Sequence, residues 1–207
     1  MAATTGVPEH WDAVYGRRAF DQVSWFEPVP QTSLDWIAKT EVRNTSAIID
    51  VGGGASTLVD ELVGRGFTDV TVLDISDEVL RKVAARLGAK QRFVTLEAHD
   101  VTTYLPSRPY ELWHDRAVFH FLTDTAGRLA YRHTMERATK PGSHVLISTF
   151  GPEGPTRCSG LSTARYDAEG LATELGSSFR LVNSAISVHV TPSGSQQQFL
   201  NTQFVRI

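Results

Sequence analysis

The chain has 207 residues, a mass of 22.8 kDa, 41% hydrophobic residues and a formal net charge of −3 at pH 7. These values suit one globular domain with a sizeable core, and we expect a single domain over residues 1–207. No block of five like charges occurs, so nucleic acid is not an expected partner. No apolar run reaches the length of about eighteen residues that a membrane helix needs, and the N-terminus lacks a secretory pattern, so we expect a cytoplasmic protein with no membrane partner.

Cysteine usage argues against metal and disulfide chemistry. Cys158 is the only cysteine, which excludes an internal disulfide and a multi-cysteine metal site. Because the remaining candidate ligands show no metal-site spacing, we expect no bound metal.

The N-terminal stretch "HWDAVYGRRAFDQVSWFEP" is rich in aromatic residues. It precedes the first predicted strand and belongs to a segment, residues 1–40, that we expect to include a first helix. Two interpretations remain open: a fixed structural cap, or a lid that closes over a ligand. Its aromatic residues are Trp11, Tyr15, Phe20, Trp25 and Phe26.

Short β-prone runs then alternate with helical patterns. This alternation predicts βαβ units and a parallel sheet covered on both faces. The helix after the second strand is well marked, because Ser76 can cap its start and Gly88 can end it. The predicted strands lie near 47–51, 70–75, 92–98, 110–115 and 143–149.

The pattern changes after the fifth predicted strand. The stretch Gly151–Gly160 reads as a loop, and loops that follow parallel strands commonly line the site in open α/β sheets. The turn cluster Thr191–Ser195 separates two β-prone runs, 179–190 and 197–207. These runs predict a closing antiparallel hairpin on an otherwise parallel sheet.

The stretch "DVGGGAST", residues 50–57, reads as a glycine loop between a strand and a helix. It lacks the lysine of a nucleotide-triphosphate loop, and Thr57 stands where a dinucleotide fingerprint has its third glycine. A nucleoside cofactor without a pyrophosphate is therefore favoured over NAD. Asp74, at the end of the second strand, is placed to accept hydrogen bonds from both ribose hydroxyls; the other interpretation is that it only organises the turn near Ser76.

With these motifs the chain resembles the class I S-adenosylmethionine-dependent methyltransferases. The motifs are "IIDVGGGAST", "VTVLDIS", "EAHDVTTYLP" and "KPGSHVLIS", and the resemblance covers roughly residues 8–207. It implies a Rossmann-like fold: a seven-stranded, mostly parallel sheet with an antiparallel C-terminal strand and helices on both faces. It also implies S-adenosyl-L-methionine as cofactor and S-adenosyl-L-homocysteine as product.

The resemblance also implies a set of site residues. For Asp50 the open alternative is a backbone organiser of the loop, for Asp100 a solvated loop residue, and for His120 a packing role. Asp115 and Arg116 have the alternative of pairing with each other or capping the next helix. The expected cofactor-binding residues are Trp11, Tyr15, Trp25, Phe26, Asp50, Gly52, Gly53, Gly54, Asp74, Ile75, Asp100, Val101 and Asp115, and the expected catalytic residues are Asp115, Arg116 and His120.

The function that we expect is methyl transfer to a small-molecule acceptor by in-line displacement, in a monomer or homodimer. If the nucleophile has to lose a proton, then Asp115, His120 or His189 is a candidate base. A protein lysine methyltransferase is the alternative enzyme. A non-catalytic cofactor-binding partner subunit is the alternative of another class.

Overall fold

The computed structural model describes residues 8–17 and 20–207, apart from the side chain of Phe20. The rest of the predicted N-terminal segment, residues 1–7, 18 and 19, lies outside the described residues. A central seven-stranded sheet has the order β3-β2-β1-β4-β5-β9-β8. Its strands are β1 (Ile48–Val51), β2 (Val70–Asp74), β3 (Val94–Ala98), β4 (Tyr110–Arg116), β5 (Thr139–Phe150), β8 (Phe179–Val190) and β9 (Gln196–Arg206).

Strand direction agrees with the prediction. Strands β3, β2, β1, β4 and β5 pair in parallel, whereas β9 is antiparallel to both β5 and β8. The predicted fold class is confirmed. A ribbon of two short strands, β6 (Arg157–Cys158) and β7 (Leu161–Ser162), lies partly within the predicted loop after β5.

Successive residues of a strand point to opposite faces of the sheet, so β1, which is buried along its whole length, has buried side chains on both faces. Helices cover both of these faces. Ile48 packs in one core cluster with residues of α1 to α4, and Ile49 packs in a second cluster with residues of α5 and α6. The helices are α1 (Pro8–Arg17), α2 (Gln31–Ala38), α3 (Leu58–Gly64), α4 (Asp77–Leu87), α5 (Thr125–Ala138) and α6 (Ala168–Leu175), with 3₁₀ turns at Phe20–Gln22, Gly88–Phe93 and Phe119–Phe121.

The ends of α4 follow the local sequence signals. Ser76 Oγ accepts a hydrogen bond from the backbone amide of Val79 at 3.2 Å, and Gly88 ends the helix with a φ of +53°. Strand β5 begins at Thr139, earlier than predicted, because the turn before the expected start still pairs with β4 through Thr139 and Tyr110. The register shifts between Tyr110 and Leu112 as a result.

The parallel strands end at one edge of the sheet, where ligands bind in open α/β folds. The N-terminal segment packs over this edge, and Trp11 and Tyr15 of α1 are buried there. No helix among the described residues is long and apolar enough to cross a membrane.

Candidate active site

A cavity at the carboxyl edge of the sheet brings together most of the predicted site residues. Its empty volume is about 730 Å³ including its open mouth, which is in the range of about 300–1,000 Å³ for small-molecule and cofactor sites. Three groups of residues form the wall. The first group, from β1 to the segment after β3, is Val51, Gly52, Leu73, Asp74, Ile75, His99 and Val101. The second group, from β4 onward, is Arg116, Ala117, Val118, His120, Phe121, Phe150, Cys158, Gln197 and Phe199. The N-terminal segment contributes Trp11, Tyr15 and Trp25.

The glycine loop needs Gly52 for two reasons. Its φ of +65° is unfavourable for other residues, and a Cβ atom there would lie 2.1 Å from Val118 Cγ2. The Gly52 amide donates to the Leu73 carbonyl at 2.7 Å, which ties the loop to β2. The backbone at Gly52 therefore lies in the cavity wall with the Val118 side chain packed against it.

Asp74 organises the turn after β2 and also lines the cavity. Its carboxylate accepts hydrogen bonds from the amides of Gly54 at 3.1 Å and Ser76 at 2.9 Å, so it organises the turn. It also lines the cavity and is only 5% exposed. Burial raises the pKa of Asp74 to about 6, although the amides of Ser76 and Gly54 favour its charged form.

Asp50, a predicted cofactor contact, lies beneath the glycine loop and outside the cavity wall. Its Oδ1 is 2.7 Å from Nδ1 of His114, whose Nε2 is 3.0 Å from Ser33 Oγ. A Cβ at Gly53 would lie 2.3 Å from Asp50 Oδ2, so the carboxylate supports the loop from behind. Gly53 and Gly54 are likewise outside the wall, although the Gly54 amide holds Asp74.

Asp100 follows β3 beside the cavity residues His99 and Val101. Its Oδ1 accepts hydrogen bonds from the amide and hydroxyl of Thr102, at 2.8 and 2.7 Å. Its Oδ2 is buried and has no hydrogen-bond partner among the described residues. A buried acceptor of this kind fits an N–H donor such as the exocyclic amine of an adenine, with Val101 against the ring.

Asp115, which the sequence predicts to be catalytic and to bind the cofactor, lies outside the cavity wall. It is fully buried, and its carboxylate accepts from the amides of Val118 at 2.9 Å and Phe119 at 3.1 Å and from the hydroxyl of Tyr131 at 2.6 Å. Burial raises the pKa of Asp115 to about 6. Asp115 therefore caps the turn that carries His120, which is the capping role left open above.

Arg116 binds the N-terminal segment and forms no ion pair with Asp115. Its Nη1 donates to the Trp25 carbonyl at 3.0 Å and its Nη2 to Glu27 Oε1 at 2.9 Å. His189 lies 3.2 Å from the same Glu27 oxygen through Nδ1 and 2.8 Å from the Ser24 carbonyl through Nε2. Both nitrogens of His189 are engaged, which corrects its prediction as a candidate base.

Glu27 is the residue of the N-terminal segment that contacts both Arg116 of β4 and His189 of β8. Burial opposes the charge of Glu27, but hydrogen bonding to His189 and the charge of Arg116 hold the pKa of Glu27 below its usual range. The guanidinium of Arg116 also lies 5.3 Å from the ring centroid of Phe199. The network thus joins the segment to β4, β8 and β9.

His120 is fully buried in the cavity wall on the turn Phe119–Phe121. Its imidazole stacks on Phe150, with centroids 4.2 Å apart and planes 21° apart, and meets Phe121 edge-on at 4.6 Å. Neither ring nitrogen has a hydrogen-bond partner among the described residues. Burial and the charge of Arg116 lower the pKa of His120 to about 3, so the imidazole is neutral.

The N-terminal aromatic residues form a packed cluster over the cavity. Trp25 meets Trp11 and Tyr15 at centroid distances of 6.0 and 6.2 Å, and Trp11 meets Phe121 at 5.3 Å. Lys82 of α4 donates to the Tyr15 carbonyl at 2.9 Å, which attaches α1 to α4. Phe26, another predicted cofactor contact, is half-buried and lies outside the cavity wall.

Several wall residues were not identified individually from the sequence. Phe150 ends β5, and Cys158 lies in the loop after it, a region that the position of the loop had marked as site-lining. Gln197 and Phe199 come from β9, which is antiparallel and enters the site from the opposite direction. Ala117 has a φ of +72°, a strained conformation at the turn into His120, which local sequence does not signal.

Among the described residues, no three His, Cys, Asp or Glu side chains lie together as a metal site. The wall instead suits a nucleoside cofactor. It contains the carboxylate of Asp74 and the backbone of Gly52, and the unpaired Oδ2 of Asp100 belongs to the residue next to the wall residue Val101.

Comparisons with known proteins agree with this geometry. Residues 48–142 match the sequence model of a family described as "Methyltransferase domain". The mouse EEF1A lysine methyltransferase 2 is 32% identical over 95 residues, which are 42% of this chain and 39% of that protein. The chain thus aligns with about two fifths of the length of its curated relatives.

Solved structures show the same fold at low sequence identity. A SAM-dependent methyltransferase from Anabaena variabilis superposes with a TM-score of 0.77 at 12% identity, covering 100% of this chain and 98% of that one. A protein from work on the conversion of a disulfide bond into a thioacetal group during echinomycin biosynthesis superposes with a TM-score of 0.80 at 17% identity, covering 97% and 92%. Residues 48–142 thus match a methyltransferase domain, and the whole chain has the fold of a solved S-adenosylmethionine-dependent methyltransferase.

Proposed function

We propose that this chain transfers the methyl group of S-adenosyl-L-methionine to a small-molecule acceptor. The observation that carries the proposal is one continuous cavity with two chemically different ends. Asp74 and Gly52 lie at the end suited to a nucleoside, whereas His120, Phe150 and Phe199 form an aromatic end. An apolar cavity with few polar groups is the usual form of a small-molecule site.

Binding residues for the cofactor follow from the wall. Asp74 accepts the ribose hydroxyls, and Ile75 and Val101 pack against the adenine. Asp100 lies outside the wall but next to Val101, and its unpaired Oδ2 accepts the adenine amine. Trp11, Tyr15 and Trp25 cover the cavity, where their rings supply cation–π contacts of about 0.5–2 kcal/mol to a sulfonium. These assignments support the proposal through burial and donor–acceptor complementarity.

The bound cofactor supplies an activated methyl group, so the protein's contribution is positioning and exclusion of water. The cap of Asp115 on the amides of Val118 and Phe119 fixes the turn that carries His120. Arg116 and His189 hold the N-terminal segment over the aromatic end. Both effects raise the fraction of time that the acceptor spends in line with the methyl group.

A protein lysine methyltransferase is the second candidate, and the similarity to EEF1A lysine methyltransferase 2 favours it. That similarity covers less than half of this chain and less than half of each relative. Among the residues that the structure describes, the aromatic end has no carboxylate in its wall to receive an ammonium group. This composition favours the small-molecule acceptor.

The two candidates are separated by where the methyl group goes. The purified protein is incubated with methyl-labelled S-adenosyl-L-methionine and a cell extract that has been divided by filtration into small molecules and macromolecules. The proposal predicts protein-dependent label in the small-molecule fraction. Label on lysine in the macromolecular fraction would support the second candidate, and tight cofactor binding without transfer to either fraction would indicate a non-catalytic subunit.

A further inference from the structure

The aromatic end of the cavity contains one polar side chain whose hydrogen-bonding capacity is unused. His120 is fully buried, and both of its ring nitrogens have no hydrogen-bond partner among the described residues. Stacking on Phe150 and the edge contact with Phe121 fix the orientation of its ring. Buried polar atoms are normally paired, so two unpaired nitrogens on a fixed ring in a cavity wall point to a ligand.

The charges around His120 favour an anion over a cation. Arg116 from β4 is the charged group that acts on the imidazole, and it lowers the pKa of His120 together with burial. Cys158, whose thiol pKa is raised by burial, lines the same cavity as His120. His189 binds Glu27. Glu27 Oε2 is buried and unpaired among the described residues, but Glu27 lies outside the cavity wall.

Resting on the proposed methyl transfer, we propose that the acceptor carries an acidic X–H group, a thiol or a phenol, on an apolar body. It reacts as its anion, and His120 binds that anion by donating a hydrogen bond from a ring N–H. Phe150 and Phe199 pack against the apolar body. An amine that is protonated at pH 7 is disfavoured by the same positive surroundings.

Proton and electron balance is simple for this acceptor. Its proton leaves to solvent, since unperturbed thiols and phenols ionise at pKa values of about 8.5 and 10. The thiolate or phenolate then gives its electron pair to the methyl carbon, a new S–C or O–C bond forms, and the donor sulfur takes the pair of the bond that breaks. His120 stays neutral throughout, because an imidazole with a pKa of about 3 is a poor base at pH 7.

The test uses 4-nitrophenol and 4-nitrothiophenol, whose anions are coloured, and 4-nitrobenzylamine as a cationic probe of similar shape. Binding to the S-adenosyl-L-homocysteine complex is followed by absorbance and by calorimetry, and methylation is measured separately with S-adenosyl-L-methionine. We expect at least one coloured probe to bind as its anion, with a lowered apparent pKa, and to be methylated. The amine should bind at least about tenfold more weakly than that probe.

Two variants of His120 and one matched control isolate its role. His120→Phe keeps the stacking on Phe150 and should weaken anion binding about 10- to 150-fold, while His120→Gln keeps an N–H donor and should lose less. His133→Gln changes an exposed histidine on α5 and should change nothing. Affinity for S-adenosyl-L-homocysteine should be unchanged in all three, which shows that each is folded.

Three results would overturn the acceptor class. They are tighter binding or faster methylation of the amine, anion binding that His120→Phe leaves unchanged, and failure of both coloured probes to bind the complex. The proposed function fails separately, when the wild-type protein binds no cofactor or transfers label to no acceptor. The relative performance of the two coloured probes identifies the acceptor atom as sulfur or oxygen.

Discussion

Asp74 is the residue whose replacement tests the cofactor site most directly. In the free protein its carboxylate accepts hydrogen bonds from the amides of Gly54 and Ser76, and the residue lines the cavity. Hydrogen bonds from two ribose hydroxyls to a charged carboxylate contribute about 1.5–3 kcal/mol. Asp74→Asn removes that charge, so affinity for S-adenosyl-L-homocysteine at pH 7 should fall about 10- to 100-fold.

The pKa of Asp74 predicts a pH dependence of S-adenosyl-L-homocysteine affinity, which is a second and independent measurement. With a pKa of about 6 in the free protein, the carboxyl is mostly ionised at pH 7 and mostly protonated at pH 5. Because the ribose hydroxyls favour the ionised form, that proton must leave on binding, and wild-type affinity should be about tenfold weaker at pH 5 than at pH 7. The loss should be absent in Asp74→Asn.

Calorimetry across this pH range measures both effects, and a nearby carboxylate provides the control. Asp77 lies in the first turn of α4, is exposed and pairs with Arg81 at 3.3 Å. Asp77→Asn should therefore bind the cofactor product as the wild type does. Wild-type affinity in Asp74→Asn, or the same pH dependence in both proteins, would refute the assignment of Asp74.

Three further predictions concern stability, metal and the N-terminal segment. Asp115→Ala should lower the free energy of unfolding by about 3–5 kcal/mol, because three buried donors lose their acceptor; an unchanged denaturant midpoint would contradict this. Methyl transfer should persist in EDTA, and a loss that one divalent ion restores would refute the metal-free reading. Hydrogen exchange over residues 8–17 and 20–28 should slow when S-adenosyl-L-homocysteine binds, since Trp11, Tyr15 and Trp25 line the cavity; exchange already slow without ligand would identify a fixed cap.

The fold was predictable wherever local signals and long-range pairing agree. Ser76 and Gly88 mark the ends of α4 in the sequence, and both act as caps in the structure. The turn at Thr191–Ser195 separates two β-prone runs, and β8 and β9 pair across it over eleven positions. Capping and turn chemistry act within a few residues, so one sequence is enough to read them.

The site was less predictable because its contacts join distant parts of the chain. His189 and Glu27 are separated by most of the sequence, yet they meet at 3.2 Å. Their pairing depends on how β8 and the N-terminal segment reach the same edge of the sheet. No local pattern encodes this, and the sequence therefore presented His189 as a candidate base rather than as an anchor of the segment.

The contrast between Asp74 and Asp115 shows what decides the role of a buried carboxylate here. Both are within one residue of the end of a parallel strand, and burial raises the pKa of each to about 6. Neither burial nor pKa therefore distinguishes them. A carboxylate offers about four acceptor positions, and Asp115 directs its oxygens at Val118, Phe119 and Tyr131, away from the cavity. Asp74 is held by backbone amides alone and lines the cavity, so the direction of its unused acceptor positions is what supports the proposed ribose-binding role.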